Sequence, residues 1–145
     1  MSDKEQTRNT LKWLIPVIAV VAVIVVAAIF LLGKPPESAA ALPANISVDE
    51  ASELFKQGAF MLDVRQPEEW AQGHIDGAIL IPLGELESRI SEIPTDRDVL
   101  IICRSGNGST QARELLRSAG RTGTASIMGG MNAWLAAGLP VVTGN

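Results

Sequence analysis

The chain has 145 residues, a formal net charge of −4 and a sequence pI near 5.0, a balance that argues against a nucleic-acid partner, whose phosphates demand a basic face. One cysteine and one histidine exclude an intrachain disulfide framework and supply too few ligands for a structural zinc site. Mean hydropathy is high at +0.23, but the excess is local: between Trp13 and Leu32 only Pro16 is not apolar, and the remainder has the composition of one ordinary globular domain.

Residues 1–12 form a polar tail that carries Lys4, Arg8 and Lys12. Residues 13–32 follow as an apolar run of about 20 residues, which at ~1.5 Å each spans ~30 Å, the hydrocarbon thickness of a bilayer. Pro16 falls in the first turn, where its missing N–H costs little. The run exceeds the ~7–15 residues of a signal-peptide core, which favours an uncleaved anchor over a cleaved leader. For the leader, Ser38-Ala39-Ala40-Ala41 would offer the small residues at the cleavage site. Three basic residues precede the run and Lys34 alone follows it closely. This asymmetry predicts a single-pass protein, N-terminus cytoplasmic, with the domain extracytoplasmic (periplasmic in a Gram-negative cell) and membrane lipid in contact with residues 13–32. Residues 33–44 contain Pro35, Pro36 and Pro43 among alanines and read as a semi-rigid spacer to a domain at 45–145.

Within the domain, Ser47-Val48-Asp49-Glu50 has the Ser-x-x-Glu pattern of a helix start, and Gly58 is placed to end that helix. Ala59-Phe60-Met61-Leu62-Asp63-Val64 is a short apolar run, read as a buried strand. Gln66-Pro67-Glu68-Glu69-Trp70 opens a brief helix with proline at its first position and acids in its first turn. Ala78–Ile81 is a second strand. Leu83, Leu86, Ile90 and Ile93 recur at helical spacing and predict a helix stopped by Pro94. Val99–Ile102 is a third strand that delivers Cys103 to its carboxyl end. A helix then begins near Ser109 and closes at Gly120, Ala125–Met128 reads as a strand, Gly129-Gly130 turns, and Met131–Ala137 is helical. Apolar strands without alternation, separated by helices, imply a parallel sheet covered on both faces, hence an open α/β domain.

Cys103-Arg104-Ser105-Gly106-Asn107-Gly108 therefore joins a buried strand to a helix at Ser109. In such sheets ligands bind beyond the carboxyl ends of the strands. A loop with two glycines can turn successive N–H groups inward as an anion nest, and the helix N-terminus adds partial positive charge. A thiol placed there ionises more readily, and the thiolate is the nucleophile. On spacing alone Cys103 is equally a small buried hydrophobe that finishes a strand. The loop could also cradle a phosphate, although no Lys-Ser/Thr ending makes it a Walker-type loop.

Five ordered motifs resolve the choice by resemblance. Leu62-Asp63-Val64-Arg65, Pro67-Glu68-Glu69-Trp70, Gly73-His74-Ile75-Asp76-Gly77-Ala78, the Cys103 loop and Gly129-Gly130-Met131-Asn132-Ala133-Trp134 occur in the order seen in rhodanese-like domains, and the resemblance spans about residues 45–142. It implies an open five-stranded parallel sheet with helices on both faces. It also implies sulfane sulfur carried on Cys103 as a persulfide, with thiosulfate as the usual donor and a thiol or cyanide as acceptor. Arg104, Ser105, Gly106, Asn107, Gly108 and Ser109 would form the substrate-binding loop, supported by an Asp63–Arg65 ion pair, with no metal and no organic cofactor.

One departure stands out. Many single-domain members place a basic residue where this chain has Gly108, so an anionic donor should be gripped less firmly, with Arg104 supplying part of the missing charge. The loop lacks the His-Cys-x5-Arg pattern of cysteine phosphatases, since Ile102 precedes the cysteine and Ser109 falls where that arginine would be. His74 is expected to hydrogen-bond in a turn, Trp70 and Trp134 to pack helices on the sheet, and Glu85, Glu87, Glu92, Asp96 and Asp98 to form a solvated acidic face. The expected function is a membrane-anchored sulfurtransferase. The alternative is a catalytically weak binding or redox-sensing module of the same fold.

Overall fold

The computed structural model describes residues 42–144. The proposed tail and span, and the spacer as far as residue 41, lie outside the described residues. Among the described residues no helix is long and apolar enough to cross a membrane.

The elements run β1 (Asn45–Ile46), α1 (Val48–Lys56), β2 (Phe60–Asp63), α2 (Pro67–Gln72), β3 (Ile79–Leu80), β4 (Val99–Ile102), α3 (Asn107–Ser118), β5 (Thr124–Ile127) and α4 (Gly130–Ala136). They form one five-stranded sheet in the order β1-β5-β4-β2-β3, and every pairing is parallel. The parallel α/β reading therefore holds. The residue pattern missed only β1, two residues long, whose Ile46 nevertheless pairs with Ile127 and is fully buried.

Because β4 is central, both of its faces are covered, which explains a strand of four apolar residues with no alternation. Its side chains divide between two layers. Leu100 and Ile102 join Met61, Ala125, Ile127, Met131 and Trp134 on the face covered by α1 and α4. Val99, Ile101 and Cys103 join Leu62, Val64, Leu86, Ala112 and Leu116 on the face covered by α3. Burying the four β4 side chains contributes on the order of 6–12 kcal/mol gross, at 1.5–3 kcal/mol for each. The local signals at the helix ends are also realised. Ser47 Oγ accepts from the Glu50 N–H at 3.2 Å, and Gly58 takes a positive φ of 102° just beyond α1.

The predicted helix over 83–93 is not one helix. Leu83–Glu85 and Ile90–Glu92 are separate 3-10 turns. Their bonds run i to i−3: Glu85 N–H to the Pro82 carbonyl, Leu86 N–H to Leu83, Glu92 N–H to Arg89, and Ile93 N–H to Ile90. Leu86 and Ile93 are still buried, so spacing of three and four residues reported burial correctly and helix type wrongly. Prolines at both ends and Gly84 in the first turn leave too few good helix formers to sustain an α-helix. Nor are all the acids here unpartnered. Glu85 and Glu92 both receive hydrogen bonds from Arg89, and Asp96 from Arg97.

The parallel topology brings the carboxyl ends of β2, β4 and β5 to one edge of the domain. The chain enters β1 at the opposite edge, after Leu42 has packed against the α1/α4 core layer.

Candidate active site

Cys103 follows β4 directly and continues its alternation, so its side chain turns to the α3 face, where it is only 6% exposed. The connection that follows is shorter than the sequence suggested. Gly106, at φ 106°, is the last residue before α3, and Asn107-Gly108-Ser109 form the helix's first turn. A positive φ at Gly106 is required for the chain to reverse over the sulfur, and a Cβ there would meet the Gly129 nitrogen at 3.3 Å.

The reversal places donors around Sγ. The Gly106 N–H donates to it at 3.0 Å. The Ser109 hydroxyl, fully buried, lies 3.6 Å from it. Burial is the largest influence on the Cys103 thiol and pushes its pKa up. Bonds from the Ser109 hydroxyl and from the backbone N–H groups of Ser109, Gly106 and Ser105 together outweigh burial, so the thiol ionises below its ordinary range. The start of α3 points its unpaired N–H groups at the same place and adds to this preference.

Gly108 has a specific reason to lack a side chain. A Cβ there would stand 3.3 Å from Cys103 Cβ, 3.6 Å from Sγ and 4.0 Å from a methyl carbon of Leu83. Its φ is not positive, so the constraint is space and not backbone conformation. Leu83, which the sequence had marked only as core, thus stands beside Gly108.

Other candidates fall elsewhere. Arg104 is turned away from Sγ, 77% exposed, with its Nε 3.9 Å from Glu69 Oε1. Arg104 lies in the loop beyond the end of β4, where its side chain is free to turn to solvent. Arg104 lines a cleft of about 380 Å³ with Arg65, Glu69, Gln72, Gly73, Met131 and Asn132. The expected compensation for Gly108 by Arg104 is thus not seen in this arrangement. Ser105 and Asn107 are exposed on the loop surface.

Asp63 and Arg65 do form an ion pair, fully buried at Asp63. Arg65 Nη2 lies 2.6 Å from Asp63 Oδ2, and Nε lies 3.0 Å from both carboxylate oxygens. The guanidinium also donates to the Glu69 and Gly73 carbonyls, which pins α2 to the end of β2. The pair therefore shapes the cleft beside Arg104 and holds its floor. His74 hydrogen-bonds as expected but is not in a turn: it forms an antiparallel bridge with Val142, its Nδ1 lies 3.1 Å from the Trp70 carbonyl and its ring stacks on Trp70 at 3.7 Å. Trp134 is core, its indole N–H donating to the Pro140 carbonyl.

Two supports escaped sequence reasoning. The N-terminus of α4 holds the back of the loop: Met131 N–H donates to the Cys103 carbonyl at 2.8 Å and Asn132 N–H to the Arg104 carbonyl at 3.1 Å. Gly130, at φ 55°, lets α4 approach so closely that a Cβ would collide with the Cys103 carbonyl oxygen. The Gly-Gly pair before a helix was the available signal. Behind Ser109, Ser126 of β5 places its hydroxyl 2.8 Å from Ser109 Oγ. A larger concavity of about 590 Å³ lies at the other end of the sheet, among Asp96, Arg97, Arg121 and Thr122, away from the thiol.

The chain is similar to known proteins. The family model of the rhodanese-like domain matches residues 47–137. A sulfurtransferase of Allochromatium vinosum is 43% identical over 86 residues, 59% of this chain and 80% of that protein. The chloroplastic thiosulfate sulfurtransferase 16 of Arabidopsis thaliana is 37% identical over 111 residues, 68% of this chain and 92% of its own. Among solved structures, a rhodanese-related protein from Thermoplasma volcanium superposes with a TM-score of 0.65 at 33% identity, covering 69% of this chain and 98% of that one. A human single-domain sulfurtransferase does so at 0.59 and 31%, covering 65% and 96%. With the family model matching residues 47–137, well over half of its length, this chain belongs to the rhodanese-like domain family.

Proposed function

We propose that the domain is a sulfurtransferase in which Cys103 carries sulfane sulfur as a persulfide, from thiosulfate or a similar anionic donor to a thiol or cyanide. The observation that carries this reading is the sulfur itself. It is buried, it receives the Gly106 N–H at 3.0 Å, and it lies against the start of α3, where Gly108 presents no side chain to it. The sulfurtransferases among its relatives support the same reading.

In the first half-reaction the Cys103 thiolate attacks the outer sulfur of the donor. The new Cys103 S–S bond forms as the donor's S–S bond breaks, and with thiosulfate the leaving sulfite takes the bonding electron pair. The terminal sulfur of the persulfide is then anionic, and the N–H groups that favoured the thiolate stabilise it in turn. A nucleophilic acceptor attacks that terminal sulfur and departs with it, as thiocyanate when the acceptor is cyanide, and the Cys103 thiolate is regenerated.

Mass spectrometry of the purified domain after exposure to thiosulfate tests the reading. A gain of one sulfur atom on Cys103, removed by cyanide and absent from a folded Cys103→Ser variant, is expected. An unmodified Cys103 would assign the fold to binding or redox sensing instead, and full transfer activity in the variant would overturn Cys103 as the sulfur carrier. We also propose that residues 13–32 anchor the chain in a membrane with the domain extracytoplasmic. The apolar run and the excess of Lys4, Arg8 and Lys12 over Lys34 support this placement. An impermeant protease added to spheroplasts should digest the domain; protection until the membrane is broken reverses the orientation.

A further inference from the structure

Strand β5 reads Thr124-Ala125-Ser126-Ile127. Ala125 and Ile127 enter the α1/α4 core layer, so alternation turns Ser126 toward α3, where it is 1% exposed. A hydroxyl buried this deeply is costly unless it is hydrogen-bonded, and an apolar residue would fill the space without that demand. Its near partner is Ser109 Oγ at 2.8 Å; Thr110 Oγ1 is more distant at 3.5 Å. Ser109 in turn faces Cys103 Sγ. The three groups form a line from the middle of the sheet to the reactive sulfur.

Counting protons gives the line a direction. Ser109 Oγ has one hydrogen and three neighbours that can accept it: the Gly106 carbonyl at 2.9 Å, Ser126 Oγ, and the sulfur. The Gly106 carbonyl is also served by the Thr110 hydroxyl at 3.0 Å and the Thr110 N–H at 3.2 Å, so it does not depend on Ser109. The Ser126 hydrogen has Ser109 Oγ as its nearest acceptor. Ser126 thus donates to Ser109, which removes it as a competitor for the Ser109 hydrogen. While Cys103 is a thiol, its S–H points to Ser109 Oγ and Ser109 donates to Gly106. Once the thiol proton has left to solvent, the Ser109 hydrogen rotates onto the sulfur, and Ser126 remains the donor behind it.

We propose that Ser126 is a positioning residue for the sulfur chemistry, orienting and polarising the Ser109 hydroxyl toward the anionic sulfur of Cys103 without touching that sulfur. The kinetic part of this inference rests on the sulfurtransferase reading; the effect on the thiol does not. The Ser109 hydroxyl faces the sulfur and is one of the groups that favour the Cys103 thiolate, so a residue that sets its direction acts on the ionisation of that sulfur.

The test measures Cys103 ionisation in the domain, from thiolate absorbance and from the pH dependence of alkylation. Ser126→Ala removes one oxygen from a strand that already carries Ala125, and its fold is checked by circular dichroism. Its apparent thiol pKa should rise by about half a unit, so alkylation at neutral pH slows roughly threefold, as expected for one weakened hydrogen bond in a chain. Ser126→Thr, which retains the hydroxyl, should restore most of the shift. Ser109→Ala should shift the thiol further, and adding Ser126→Ala to it should then change nothing. A Ser126→Ala thiol that titrates as the parent does, or an equal shift in the Ser109→Ala background, overturns the inference. Sulfur transfer to cyanide should fall about threefold at neutral pH and converge with the parent once the thiol is fully ionised. A parent domain that transfers no sulfur, with the ionisation pattern intact, would refute the sulfurtransferase reading and leave the role of Ser126 standing.

Discussion

Replacing Gly108 with arginine puts the electrostatics of the loop to a quantitative test. As built, the sulfur is served by backbone N–H groups and the Ser109 hydroxyl, while Arg104, the nearest guanidinium in sequence, lies in the cleft on the other face. An arginine at position 108 places its Cβ 3.6 Å from Sγ, and its longer side chain carries the guanidinium outward toward the sulfonate of a bound thiosulfate, where a charge-assisted hydrogen bond contributes ~1.5–3 kcal/mol. Two costs oppose it. A cation in the first turn of α3 meets the positive end of the helix dipole, at about 0.3–1 kcal/mol. The new Cβ must also be taken up 3.3 Å from Cys103 Cβ, by a shift of a few tenths of an ångström. Backbone strain does not enter, since φ at Gly108 is not positive, and leaving glycine in a helix returns up to about 0.8–1 kcal/mol. The balance leaves roughly 1.4 kcal/mol in favour of the dianion, a tenfold fall in KM for thiosulfate with kcat little changed. Steady-state kinetics should show that gain shrinking as ionic strength rises. Gly108→Gln, which adds a polar side chain without charge, should show no gain. A folded Gly108→Arg domain with unchanged or raised KM would refute the view that missing charge limits this site.

Three further outcomes follow from the same geometry. Asp63→Asn should destabilise the domain by about 3–5 kcal/mol, because it strands the Arg65 guanidinium without its buried counter-charge, and the urea midpoint should drop accordingly. Parent-like unfolding would show that the carbonyls of Glu69 and Gly73 suffice for Arg65. Gly130→Ala should cost several kcal/mol and slow Cys103 alkylation, since the methyl meets the Cys103 and Arg104 carbonyls at a backbone angle of φ 55°; a variant with parent stability would contradict that close approach. The alkylation rate of Cys103 should reach half its maximum at a lower pH than a free cysteine peptide. Because the folded thiol is the stronger acid, the stabilisation linked to it is fully present above the unfolded thiol's pKa and is lost as pH falls through the folded value, so urea midpoints should track the same window.

The fold was legible wherever burial leaves a periodic or continuous trace. Residues 60–63 and 99–102 announced buried parallel strands because neither face can carry a polar side chain, and Asp63 was the exception that needed Arg65. What escaped was short or ambiguous. Asn45–Ile46 has no room for a pattern, and it is a strand only because the Ser126 and Met128 N–H groups donate to the Ala44 and Ile46 carbonyls. The apolar spacing over 83–93 is common to α-helix and successive tight turns, and only the backbone chemistry of Pro82, Gly84 and Pro94 separates them.

At the site, legibility stopped at the backbone. Asn107-Gly108 reads as turn chemistry, which moved the expected start of α3 to Ser109. In the fold those residues are the helix's first turn, and poor helix formers are tolerable there because the first N–H groups of a helix have no partner within it. That same lack of partners is what makes the turn useful beside an anionic sulfur, and the small size of Gly108 is what lets a sulfur sit against it. Arg104 shows the converse error. It is the most conspicuous charge in the loop, yet the bend after β4 sets it beside Glu69 in the cleft with Arg65, while Cys103 packs in the α3 layer. Ser126 left no signal at all, since a serine in a short strand is unremarkable until the sheet order places β5 beside β4 and sets its hydroxyl behind Ser109. Sequence spacing thus located the nucleophile through strand-to-helix punctuation. The groups that tune its charge arrive through sheet pairing, which puts residues 103, 109 and 126 in line although no local pattern connects them.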